Sequence, residues 1–246
     1  MMPVSEARSS TLSVNASEAH AAPVHAQYCR TDVLQLIPTS VGLVLSLGCG
    51  AGFTELALKT RTPACRIVGV DLDETMIDPQ ARGAFEQVVP GDLETLELPF
   101  SDGSFDALMY ADVLEHLRDP QAALRRHRRL LRPGGWIIVS VPNLQHLSVF
   151  GNLLRGRWPE EDAGIFDRTH LRWFTRKTLL AMLEGAGYRV QRVHRNLRVF
   201  GMPQHRWQYY INQGLVRSHA WDILWWMKDF GTFQYLIVAT PANGAR

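Results

Sequence analysis

Ten residues, Leu43 to Gly52 (LVLSLGCGAG), constrain the fold more than any others. Leu43–Leu47 is a short apolar run between Gly42 and Gly48. Three glycines follow within five positions, and helical periodicity runs from Ala51 to Lys59. A short run with no polar alternation fits a strand covered on both faces, the situation of parallel strands in α/β proteins. The pattern then repeats. Strands are predicted at Arg66–Val70 (ending at Asp71), Ala84–Val89, Phe105–Tyr110 and Trp136–Val141. Helices are predicted at Glu74–Arg82 and Pro120–Leu131, the latter with proline at its start and Pro133-Gly134-Gly135 after its end. Five alternations argue for a parallel sheet wrapped by helices. Further on, Leu144–Gly164 reads as a short helix plus loop, Thr175–Gly185 as a capped helix, and Tyr188–His194 and Phe233–Thr240 as strands.

Residues 1–28 are expected to be a mobile tail, because Met1–Ala26 is rich in Ser and Ala and has no apolar signal-like core. Residues 29–246 are expected to form a single domain. It carries a helical insertion at about 197–232, which holds four of the seven tryptophans (Trp207, Trp221, Trp225, Trp226) and is therefore Trp-rich. No apolar run reaches the roughly 18 residues needed to span a bilayer. Cys29, Cys49 and Cys65 are too few and wrongly spaced for a disulfide framework or a zinc site, which fits a reduced cytoplasmic setting.

The net charge of +2 conceals an asymmetry. Residues 1–117 hold 6 basic and 16 acidic side chains, whereas 118–246 hold 20 basic and 8 acidic. Such a division suggests an anionic partner.

The glycines of Gly48-Cys49-Gly50-Ala51-Gly52 permit a tight turn and close approach of a ligand to the backbone. The helix start behind them favours an anionic group. Asp71 closes the second strand about 20 residues later, where a carboxylate can hold ribose hydroxyls. A nucleoside-containing cofactor follows. The dinucleotide fingerprint needs a sixth-position glycine, and that position is Phe53, which disfavours a nicotinamide dehydrogenase.

The segments VLSLGCGAGF (44–53), VGVDLDETM (68–76), GDLETLELPFSDGSFDALMYADVLEHL (91–117) and LLRPGGWIIVSVPN (130–143) together resemble class I S-adenosylmethionine-dependent methyltransferases. The resemblance covers roughly half the chain and implies a Rossmann-like, seven-stranded, mostly parallel sheet with helices on both faces. It also implies roles. Gly48, Gly50 and Gly52 would pass the methionine part of S-adenosylmethionine. Asp71 would hold the ribose, Leu72 would pack on adenine, Asp92 (followed by Leu93) would accept from the adenine amine, and Tyr110 would line the cleft. Ser46 stands where the family usually has Asp or Glu to help hold the methionine end, a departure that also admits a catalytically silent cofactor-binding protein.

A second cluster follows the fourth strand, at Asp112, Glu115 and His116, and pairs with a later His170. It resembles the Glu-x-x-Glu-His segments of small-RNA 2′-O-methyltransferases and ubiquinone-pathway O-methyltransferases. That resemblance implies Mg²⁺ or Mn²⁺ held by Asp112, Glu115, His116 and His170. Without a metal, His116 or His170 could serve as general base.

Arg118, Arg125, Arg126, Arg128, Arg129 and Arg132 are expected on a solvated outer helix face, while Arg155, Arg157, Arg168, Arg172, Arg176 and Lys177 are expected beside the acceptor. The sequence thus points to methylation of a hydroxyl on a small or lipid-linked acceptor of anionic character: a sugar, a quinone or a cell-envelope precursor. RNA 2′-O-methylation is the rival. The segment 207–230 is a candidate lid or peripheral membrane contact.

Overall fold

The computed structural model describes residues 29–198 and 227–242. The predicted tail at 1–28 lies outside them, as do Trp207, Trp221, Trp225 and Trp226 of the predicted insertion. Seven strands form one sheet: β1 (Leu43–Leu47), β2 (Arg66–Asp71), β3 (Gln87–Pro90), β4 (Phe105–Ala111), β5 (Leu131–Pro142), β6 (Tyr188–Leu197) and β7 (Thr232–Pro241), in the order β3-β2-β1-β4-β5-β7-β6. Pairings from β3 to β5 are parallel, and β7 runs antiparallel to both β5 and β6. The expected α/β, Rossmann-like, seven-stranded and mostly parallel architecture is present.

Helices cover both faces. On one side α1 (Thr31–Leu34) and α2 (Phe53–Arg61) meet the sheet through Val33, Leu34 and Leu58, packed with Val44, Ile67 and Met109. On the other side α3 (Pro120–His127) and α5 (Arg176–Gly185) bring Leu124, Leu179 and Leu183 against Leu45, Leu108 and Tyr110. The strand alternation of two residues thus assigns Leu45 and Leu47 to one layer and Val44 and Ser46 to the other. Between them, α4 (Leu147–Leu153) and α6 (Lys228–Gly231) are short.

Several boundaries differ from the predicted ones for local reasons. Glu74–Arg82 is not one helix but two single 3₁₀ turns, Glu74–Met76 and Arg82–Ala84. Pro79 disfavours helical geometry at Asp78, and the Asp73 side chain already caps Thr75 N–H at 2.8 Å. β3 therefore starts at Gln87. Pro133-Gly134-Gly135 is no terminal turn either. β5 begins at Leu131, paired with Phe105, and these residues sit at the irregularity before regular pairing resumes at Trp136.

The sheet order places a switch point between β1 and β4. From β1 the chain winds outward through β2 and β3, then returns to the other side of β1 as β4. Crevices at such points, beyond the carboxyl ends of the strands, are the usual ligand sites of open α/β sheets.

Candidate functional site

A cavity of about 1220 Å³ opens at that switch point. Single small-molecule sites commonly occupy roughly 300–1,000 Å³, so this one has room for a cofactor and an acceptor together. Its walls come from the glycine loop after β1, the ends of β2 and β3, the end of β4, Arg30 ahead of α1, and Thr169 and Leu171.

The glycine loop takes its shape from left-handed backbone. Gly48 has φ +75°, and a Cβ there would stand 2.5 Å from a Val113 methyl carbon. Gly52, with φ +80°, is the N-cap of α2, and a Cβ would meet Phe85 at 2.8 Å. Both positions thus require glycine. Asp71 is tied to this loop. Its Oδ2 accepts from Gly50 N–H at 2.7 Å and its Oδ1 from Leu72 N–H at 2.8 Å. Burial nevertheless raises its pKa, against the lowering effect of those donors. Each carboxylate oxygen keeps further acceptor capacity for a diol.

Six of the nine residues predicted for the cofactor line the cavity: Gly48, Gly50, Asp71, Leu72, Asp92 and Leu93. Leu72 is 73% exposed there, an open apolar platform at the mouth. The other three do not. Tyr110 is fully buried on the opposite face of β4, its hydroxyl 2.6 Å from His127 Nδ1. The two-residue alternation of β4 turns Tyr110 to the α3 layer and leaves Ala111 and Asp112 at the cleft. Gly52 turns the chain rather than facing the cavity. Ser46 is buried beneath Glu55, to whose Oε1 its hydroxyl donates at 2.5 Å.

On the acceptor side, Asp112 stands apart from the predicted metal set. It adopts φ +59°, the only non-glycine positive φ among the described residues. Its carboxylate accepts from the Arg30 guanidinium, from Ser140 Oγ at 2.7 Å and from Gln234 Nε2 at 3.2 Å. Arg30 is gripped in turn by Asp32 through two contacts of 3.0 Å. Asp112 therefore anchors the N-terminal segment to the sheet.

Glu115, His116 and His170 do converge, with one potential ligand atom of each within 4.8 Å of the others. Glu115 is buried, its pKa is pushed up to about 8 by desolvation, and neither carboxylate oxygen has a hydrogen-bond partner. The His116 and His170 rings meet edge to face at 4.9 Å. His170 Nδ1 lies 3.3 Å from the Ile165 carbonyl, and His116 Nδ1 lies 3.3 Å from the Thr169 carbonyl. A carbonyl only accepts, so Nδ1 carries the proton in each ring and the neutral tautomer presents Nε2 as the lone-pair nitrogen. His116 lines the cavity, whereas His170 sits behind it.

The arginines behave differently from expectation. Those of the α3 region are not a solvated face but clamp backbone carbonyls: Arg125 to Gly185, Arg126 to Glu94 at 2.6 Å, and Arg129 to Leu98 and Phe100. Of the group at 155–177, Arg168 pairs with Asp162 and Arg176 with Asp229. Among the described residues, the arginines lining the cavity are Arg30 and Arg118. Sequence reading did not single out Arg30, Glu55, Ser140 or Gln234. Only Glu55, an acid just past the glycine loop, carried a local signal.

Residues 45–139 match the family model described as a methyltransferase domain. The chain is 34% identical over 150 residues to a probable S-adenosylmethionine-dependent methyltransferase of Mycolicibacterium smegmatis, covering 60% of this chain and 52% of that one. It is 31% identical over 107 residues to a ubiquinone biosynthesis O-methyltransferase of Chromobacterium violaceum, covering 41% and 44%. A crystal structure of an S-adenosylmethionine-dependent methyltransferase from Archaeoglobus fulgidus superposes with a TM-score of 0.58 at 22% identity, over 85% of this chain and 91% of that one. The chain spans about half or less of the length of these curated relatives. It carries a class I S-adenosylmethionine-dependent methyltransferase domain.

Proposed function

We propose that this protein transfers the methyl group of S-adenosylmethionine to a hydroxyl of a small or lipid-linked acceptor, such as a sugar, a quinone or a cell-envelope precursor. One observation carries this reading. A single cavity runs from the ribose-binding carboxylate Asp71 and from Asp92 to the imidazole of His116. Methyl transfer is an in-line displacement, so holding acceptor oxygen, methyl carbon and sulfur in line supplies much of the acceleration. A hydroxyl must also lose its proton, and His116 Nε2 is placed to take it. His170 and Glu115 behind it hold the ring. Arg118 at the wall suits an acceptor with a negative group. The likeness to a ubiquinone biosynthesis O-methyltransferase supports an aromatic hydroxyl acceptor.

A second reading rests on the buried, unpartnered carboxylate of Glu115. Together with His116 and His170 it offers one carboxylate and two imidazoles, a donor set that suits Mn²⁺ or Mg²⁺. A bound cation would lower the pKa of an acceptor hydroxyl. Asp112, engaged by Arg30, would not join it. RNA 2′-O-methylation gains nothing from the basic residues at 168 and 176, which are paired within the chain.

The test is transfer of radiolabelled methyl from S-adenosylmethionine into fractionated cell extracts, followed by identification of the labelled product. Label in a hydroxyl-derived methyl ether supports the proposal; label confined to RNA, or to carbon or nitrogen, contradicts it. Loss of turnover with chelator, restored by Mn²⁺, together with a Mn²⁺ resonance signal absent from Glu115→Gln, would select the cation reading.

A further inference from the structure

The cleft contains a carboxylate that the fold buries and leaves half unused. Glu55, in the first turn of α2, is 2% exposed and lines the cavity. Ser46 Oγ donates to its Oε1 at 2.5 Å, while Oε2 has no hydrogen-bond partner. No ion pair reaches it among the described residues. The nearby guanidinium of Arg30 is committed to Asp32 and Asp112. A buried carboxylate with neither a cation nor a second donor is costly unless something brings them.

The cofactor has a part that would. Its nucleoside end is assigned to Asp71 and Asp92 at the ends of β2 and β3, so its amino-acid end falls by the glycine loop and the start of α2. We propose that Glu55 is the carboxylate that receives the ammonium group of the cofactor's methionine moiety, with Ser46 fixing its orientation. Ser46 occupies the position where the resembling family usually places an acid. The charge has moved one layer, from the end of β1 to the facing turn of α2, and the β1 residue has become its hydrogen-bond donor. Glu55 is therefore a binding residue for the cofactor, and the inference rests on the methyltransferase reading of the cavity.

The ionisable groups around Glu55 are all acids: Asp71 at the end of β2, Cys49 in the glycine loop and Cys29 ahead of α1. Burial pushes both thiols up, so they stay neutral near pH 7. The site therefore offers an incoming ammonium only negative or neutral partners.

The test compares two ligands on the full chain by calorimetry. S-adenosylhomocysteine carries the ammonium; 5′-methylthioadenosine keeps the nucleoside and sulfur but lacks the amino-acid end. Glu55→Gln preserves shape and removes the charge. It should weaken S-adenosylhomocysteine by about 10-fold or more and change methylthioadenosine by less than about 2-fold. Ser46→Asp added to Glu55→Gln should recover most of the lost affinity. Undiminished S-adenosylhomocysteine binding in Glu55→Gln, or equal losses for both ligands, would overturn the assignment. Failure of the wild type to bind either ligand would overturn the methyltransferase reading itself, so the two failures are distinguishable. Retained methylthioadenosine binding also shows that the variant is folded.

Discussion

The two ends of the cavity are built on different principles. At the cofactor end, the functional groups are loop backbone and the last residues of strands. Gly48, Gly50, Asp71 and Asp92 all lie within a few residues of a strand's carboxyl end. At the acceptor end, His116 follows β4 while Thr169 and Leu171 arrive 53 and 55 positions later, and Asp112 is locked by Arg30 from ahead of α1. One end is fixed by local geometry and the other by tertiary folding. The cofactor end should therefore fail through backbone changes and the acceptor end through single side chains.

The largest effect should come from Gly48→Val. A side chain there must adopt a left-handed backbone and displace Val113. Cofactor binding should vanish and stability should fall by about 2–4 kcal/mol, seen in thermal melts with and without S-adenosylhomocysteine. Next, His116→Ala should cut kcat by about 10²–10⁴-fold while leaving cofactor affinity within about 2-fold. A loss of affinity instead would mean that the two ends are not separable. Asp71→Ala should do the reverse of His116→Ala: affinity for S-adenosylhomocysteine should fall by about 100-fold, because two ribose hydroxyls and the Gly50 contact lose their acceptor.

A smaller effect concerns pH. Desolvation raises the Glu55 pKa from 4.5 to about 7, so the folded apoprotein holds a proton that the unfolded chain releases over that interval. Stability of the apoprotein should therefore fall as pH rises from 4.5 to 7, by at most about 1.4 kcal/mol per unit from this group. The drop should flatten in Glu55→Gln, as measured by denaturant titration at several pH values. Affinity for the ammonium-bearing ligand should rise over the same interval. The smallest effect is expected for Arg126→Ala. Losing its bond to the Glu94 carbonyl should cost about 1 kcal/mol, or roughly 2–4 °C in melting temperature, with the KM for acceptor unchanged. A rise in that KM would return α3 to the acceptor site.

The same contrast decided what could be read from the chain alone. The apolar run at β1, the glycines and Asp71 are local signals, and they led to the sheet, its switch point and most of the cofactor wall. Tyr110 was misassigned because the cleft lies beyond the strand end, and the alternation along β4 turns that residue toward α3. Asp112 looked like a metal ligand from spacing to Glu115. Its partner Arg30 lies 82 positions away, and no local pattern reports such a pair. The basic side chains were legible as a count and not as a role. Clamping a carbonyl and contacting an acceptor require the same residue type, and only the fold shows that Arg125, Arg126 and Arg129 do the former. Glu55 was hidden by a substitution. Ser46 read as a lost acid, while the acid facing it sat on the next helix.

The central claim is that the switch-point cavity binds a methionine-derived nucleoside. Calorimetry on the purified full chain with S-adenosylmethionine, S-adenosylhomocysteine and NAD tests it most directly. The account predicts saturable, one-to-one binding of both methionine-derived ligands and none of NAD. Binding of NAD with no binding of either S-adenosyl ligand would contradict it.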